Sequence, residues 1–196
     1  MAGHGGMTKA EPVRAARRWH IRMALLHPAW LLLAMLLTFA GQLAAMSLDP
    51  SGIVQAAFWS VLMSWFVIGW AYGIYRVARE VSGRRKLEHG PERDWIFGLS
   101  ASAFLVLPMA LTDFSPVVNG LRDAVGGVGA LAFFASFWVT AAALVTAEGH
   151  PVRHPTNRAV GTFLLVVYSP IGAWFLRPRV RALLERARQE DRVRLD

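Results

Sequence analysis

The chain has 196 residues, of which 55% are hydrophobic and only 17% charged, yet its formal net charge is +8. So large an apolar excess excludes intrinsic disorder, and the mean hydropathy of +0.37 points to a membrane-embedded protein rather than a soluble domain. No cysteine is present, which excludes disulfides, thiolate metal sites, cysteine nucleophiles and haem attached through CxxCH.

The N-terminal arm, residues 1–27, is glycine-rich at first and then basic and amphipathic from Pro12 to Leu26. Its length, and the run from Ala29 to Met46 that follows, suit a retained signal-anchor helix better than a cleaved leader. Five stretches then lack Asp, Glu, Lys, Arg and His: Pro28–Leu48, Pro50–Tyr75, Trp95–Thr112, Ala124–Ala147 and Ala159–Leu176. About 20 helical residues span the roughly 30 Å hydrocarbon layer, so each is a candidate crossing. In the last stretch, Tyr168-Ser169-Pro170-Ile171-Gly172 interrupts the pattern.

Basic residues set the orientation, because Lys and Arg stay on the cytoplasmic side. Five precede the first stretch, six lie between the second and third, one and two occupy the next gaps, and seven fall in the tail. Five full crossings split them 13 to 8, whereas four crossings split them 20 to 1, 19 to 2 or 18 to 3 when the last, third or fourth stretch is the one that does not cross. Charge thus favours an even number without selecting the odd stretch. The expectation is therefore an all-α, polytopic membrane bundle of four transmembrane helices. Its fifth apolar segment is re-entrant, kinked or a fifth span. Residues 28–176 form one membrane domain, with both termini facing the cytoplasm in a bacterial cytoplasmic membrane. Trp30 followed by Asp49, and Trp95 followed by Asp113, suggest two hairpins of similar plan.

The tail, residues 177–196, reads as a basic amphipathic helix with Pro178 in its first turn. Val180, Leu183, Leu184 and Ala187 form its apolar stripe. Arg177, Arg179 and Arg181, with Arg84, Arg85 and Lys86 of the central loop, form the expected surface for anionic headgroups or a partner. Nucleic acid is not an expected partner. The basic residues are divided among separated segments without interleaved aromatics.

All six His lie outside the apolar stretches, and no carboxylate lies inside them. That argues against an intramembrane proton relay and against a b-type haem held by mid-membrane histidines. Gln42 and Gln55 are the largest polar side chains in the spans. Small residues recur at packing distance, notably Gly41 and Ala45, Ser60 and Ser64, Gly69 and Gly73, and Gly126 and Ala130. They pack helices within the bundle or against another membrane protein or a second copy. Trp59, Trp65, Trp70 and Trp138 lie deep enough to pack the bundle or to border a lipid, quinone or pigment.

One polar cluster resembles a site, Glu148 with His150 and His154, to which His27 and His89 approach on the same face. These residue types ligate metals, but Pro151 and Pro155 break the helix that would align the two His, and HExxH is missing. No nucleotide motif or nucleophile elbow occurs, so no cofactor is assigned. The leading expectation is a small membrane accessory or assembly subunit without catalysis of its own. The alternatives are a membrane enzyme acting on a lipid-like substrate at Glu148, His150 and His154, and an oligomeric pore. The pore would need the Ser-bearing face of the second stretch or the Gly-rich start of the fourth to line its path.

Overall fold

A computed structural model describes residues 19–48, 53–84, 93–106, 116–150, 152 and 154–193. The described residues contain seven helices and no strand. They are α1 (19–24), α2 (Pro28–Leu48), α3 (Ile53–Arg84), α4 (Asp94–Val106), α5 (Pro116–Ala147), α6 (Asn157–Val167) and α7 (Ser169–Val193). Two stretches, Phe58–Gly83 in α3 and Asp123–Ala147 in α5, are long and apolar enough to cross a membrane. As described, α4 has 13 residues and rises about 20 Å, short of the roughly 30 Å hydrocarbon layer. The rest of its expected stretch, 107–112, lies outside the described residues.

The two long helices form the centre. Helix α3 packs against α2, α4, α5 and α7, and α5 packs against α3, α4 and α6. Trp70, Ile74 and Tyr75 of α3 meet Phe137 and Leu144 of α5 in the core, which Val166, Leu176, Val180 and Leu183 extend. The outward faces are also apolar. On α2, Leu33, Leu36, Leu37, Phe39 and Leu43 are exposed, as are Leu131 of α5 and Ile171 and Phe175 of α7. Contiguous exposed apolar surface of this kind marks a membrane or protein contact.

Most hydroxyls within the helices bond back to their own helix. Thr38 donates to the Ala34 carbonyl at 2.8 Å, Ser82 to Ala78 at 2.9 Å, Ser102 to Gly98 at 2.8 Å and Ser136 to Phe133 at 2.7 Å. Satisfying a hydroxyl this way lets it sit in an apolar layer without an external partner. Thr140 does so too, at 2.8 Å to Ser136, and also reaches the Ala71 carbonyl of α3 at 3.3 Å.

The last apolar stretch is two helices folded back on each other. Thr156 caps α6 by accepting the Ala159 N–H at 3.2 Å. Helix α6 ends at Tyr168, whose N–H bonds the Leu164 carbonyl, and α7 begins at Ser169. Pro170 carries no N–H for a continuing α6, but its ring suits the first turn of α7. Gly172 then lies so close to the Leu165 carbonyl that an added Cβ would overlap it. Such an approach of backbone to backbone requires glycine.

The return of the chain is fixed by Arg179, which donates to Thr162 Oγ1 at 3.0 Å across 17 positions in sequence. A straight helix would separate those residues by about 25 Å. Helices α6 and α7 therefore fold back on each other at Tyr168–Ser169.

The tail differs from expectation in two respects. Pro178 lies inside α7 and not in a first turn, so the helix runs unbroken through position 177. The stripe of Val180, Leu183 and Ala187 is buried, with Val180 and Leu183 in the bundle core.

Candidate functional site

Two polar arrangements stand out, an ionic clamp at one end of the bundle and a cleft halfway along it. The clamp begins where α5 stops. Gly149 has φ of +93°, a left-handed conformation that favours glycine. Its N–H bonds the Thr146 carbonyl at 2.9 Å, and the His150 N–H bonds that of Val145 at 3.2 Å. This pair of bonds is the Schellman closure of a helix, and it leaves Glu148 at the cap position.

From there the Glu148 carboxylate meets two arginines. Arg179 donates Nε to Oε1 at 2.7 Å and Nη2 to Oε2 at 2.8 Å, and Arg158 donates Nη2 to Oε2 at 3.0 Å. Forked pairing of this kind is the strongest common ion-pair geometry. The Glu148 side chain is only 9% exposed. Burial alone would raise its pKa, but the hydrogen bond and charge of Arg179, with the charge of Arg158, outweigh it and hold the carboxyl below its ordinary range. The clamp thus joins the end of α5 to the start of α6 and to the middle of α7.

A second ionic pair, Arg76 with Asp94 at 2.9 Å, joins α3 to α4. Beside it, the Tyr75 hydroxyl accepts the Arg93 N–H at 3.2 Å, and the rings of Tyr72, Tyr75 and Phe97 pack at 5.1–6.3 Å. His20 of α1 meets Tyr72 edge-on at 5.4 Å. Burial and the neighbouring Arg76 lower its pKa against the opposing pull of Asp94 and Glu80.

The cleft has a volume of about 420 Å³. Its polar lining comes from Thr38 and Gln42 of α2, Ser60 and Ser64 of α3, and Ser169 at the hairpin tip. Phe133, Phe134 and Phe137 of α5 supply most of the apolar wall. Gln42 donates Nε2 to Ser60 Oγ at 2.6 Å. Thr38 and Gln42 lie about 15–21 Å along α2 from its start, so the cleft sits near the middle of that helix.

The expected metal ligands do not gather. Among the described residues no group of three or more His, Cys, Asp or Glu converges. Glu148 is held by arginines, His150 Nε2 lies 3.2 Å from Arg158 Nη1, His154 is exposed, and His27 Nδ1 accepts the Ala29 N–H at 3.2 Å. His89 lies outside the described residues.

The small-residue positions have unequal surroundings. An added Cβ on Gly41 would strike the Trp59 ring, and one on Gly73 would come within 2.9–3.0 Å of Met23 and the backbone of His20 and Ala24. The GxxxG face of α3 thus receives α1. Gly129, not singled out by spacing, is pressed against Ala103 of α4, whereas Gly126 has nothing within 4 Å and Ala130 is exposed. Ser60 and Ser64 belong to the cleft. The side chain of Ala45 lies outside the described residues.

Of the surface arginines, Arg179 is drawn into the clamp, Arg177 donates Nε to the Leu25 carbonyl at 3.2 Å, and Arg181 is exposed and paired with Glu185 at 3.2 Å. The side chain of Arg84, with Arg85 and Lys86, lies outside the described residues. Among the deep tryptophans, Trp70 is core, Trp65 donates to the Ala101 carbonyl at 2.9 Å, and Trp138 packs on Phe163 at 5.9 Å.

No family model matches the sequence, and comparison with curated proteins and with solved structures finds no significant similarity.

Proposed function

We propose that this chain is an integral membrane protein in which α2 to α5 cross the bilayer and the α6–α7 hairpin re-enters from the cytoplasmic side. Both termini then face the cytoplasm of a bacterial cell. In this setting it acts as an accessory or assembly subunit, holding a helix of another membrane protein. The hairpin geometry supports the placement, because four crossings with the last segment folded back leave one basic residue of the 21 on the far side.

One observation carries the partner reading. The tight glycine positions at Gly41, Gly73, Gly129 and Gly172 are each filled by the chain's own residues, while Gly126, Gly127 and Ala130 of α5 are left uncovered. Small faces permit close helix approach where lipid supplies no hydrophobic drive, and among the described residues nothing lies within 4 Å of a Cβ added at Gly126 or Gly127. Commitment of Glu148 to two arginines weighs against the membrane-enzyme alternative. For the expected contact with anionic headgroups, α7 offers several exposed arginines, of which Arg181 and Arg188 border one groove with Arg177 and Leu25.

A photo-crosslinking amino acid at Ala130 tests the reading in native membranes. The expected result is one discrete adduct with another membrane protein, lost on Gly126→Leu while the melting temperature is unchanged. An adduct of twice the chain's own mass would assign the face to a second copy. A clean monomer in mild detergent with no adduct would sink the accessory reading.

A further inference from the structure

We propose that the cleft under the hairpin tip binds a neutral, lipid-soluble molecule carrying a hydroxyl or carbonyl group, a long-chain alcohol or quinone by chemical class. The inference rests on the membrane placement above but not on the partner face of α5. At about 420 Å³ the cleft is within the range that encloses a drug-sized or isoprenoid group. Its Phe133, Phe134 and Phe137 wall favours an apolar body, and none of its lining residues is ionisable, so a charged ligand would find no counter-ion.

The polar side selects the head. Ser64 and Ser169 bring hydroxyls, each both donor and acceptor, to a wall that also carries the Gln42 amide and Ser60. Lipid tails offer such groups nothing, so an acyl chain would occupy the space without using them. The hairpin adds an independent reason. Its break at Tyr168–Ser169 places irregular backbone at membrane depth, which is tolerated only where protein buries it or a cavity receives it. Here the cleft lies against the tip, through Val167 and Ser169. A carbonyl or hydroxyl entering sideways from the bilayer would therefore meet hydrogen-bonding groups, while its chain packs on phenylalanine.

The test uses full-length protein in phosphatidylcholine vesicles and two photoreactive probes, a diazirine-bearing hexadecanol and the matching diazirine alkane without the hydroxyl. One hydrogen bond gained by the head corresponds to labelling about 3- to 10-fold higher for the alcohol than for the alkane. The adducts are expected on peptides containing Met63 and Phe133. Ser64→Phe fills the cleft and reduces the alcohol to the alkane's level. If that variant folds poorly, Phe134→Trp at the half-exposed mouth serves the same purpose. Equal labelling by both probes, or adducts spread over the outer faces of α2 and α5 and indifferent to both variants, overturns the proposal. Alkaline carbonate extraction reads the placement separately. Release of the protein from the vesicles overturns the placement and the cleft together, whereas retention with even labelling overturns the cleft alone.

Discussion

Glu148 shows how one side chain's role depends on residues far away in sequence. Beside His150 and His154 it resembles a ligand; with Arg179 and Arg158 against its two oxygens it is a structural anion. Because its carboxyl is held below the ordinary value of 4.5, the clamp's stabilisation is fully present above that pH and lost as pH falls through the depressed native value. Glu148→Gln is expected to cost about 2 kcal/mol near pH 7, less than for a fully buried pair because Arg158 is half exposed. The difference from the parent protein should shrink as the pH is lowered through the acidic range. Thermal melts in detergent check this, and a gap independent of pH would contradict the role given to the carboxylate. Gly69 and Gly73, identical by spacing, are also distinguished by their neighbours. An added Cβ on Gly69 meets only the flexible end of Met23 at 3.5 Å, whereas on Gly73 it meets backbone. Gly69→Ala should leave stability unchanged or raise it by up to about 1 kcal/mol, and Gly73→Ala should lower it by about 1–3 kcal/mol. Denaturation of the two variants side by side measures the contrast.

At the level of elements, the helices and their apolar stretches were legible because absence of charge is a local property. Pro28–Leu48 is α2 residue for residue, and α5 contains all of Ala124–Ala147. The break at Tyr168 was legible as well, since Pro170 removes a donor and Gly172 permits a close approach. What could not be read was any pairing across the fold. Arg179 is 31 positions from Glu148, and no spacing rule links them. The docking of α1 on Gly73 and the cleft under the hairpin tip likewise arise only when separated helices meet. Arginines of α7 that resemble one surface in sequence serve three ends: an ionic clamp, a cap on the Leu25 carbonyl and an exposed face.

For the whole molecule, the proposed orientation rests on the charge distribution, and the folded α6–α7 hairpin is compatible with it. The absence of native cysteine makes this directly testable, because any single cysteine introduced is the only thiol. With Gly83→Cys at the end of α3 and His154→Cys before α6, a membrane-impermeant maleimide should label both from the cytoplasmic face alone. Ser47→Cys, at the far end of α2, should label from the opposite face alone. Labelling of Gly83→Cys and His154→Cys from opposite sides would exclude the four-crossing arrangement.

The hairpin also bears on how such a chain reaches its finished state. In the arrangement proposed here, no residue after Ala147 is translocated: α6 dips inward by about 16 Å and α7 returns to the side of synthesis. The seven arginines beyond Leu176 are thereby spared passage through the insertion machinery. The hairpin can settle last, onto a bundle whose crossings are already in place, with the Glu148 carboxylate waiting as its latch.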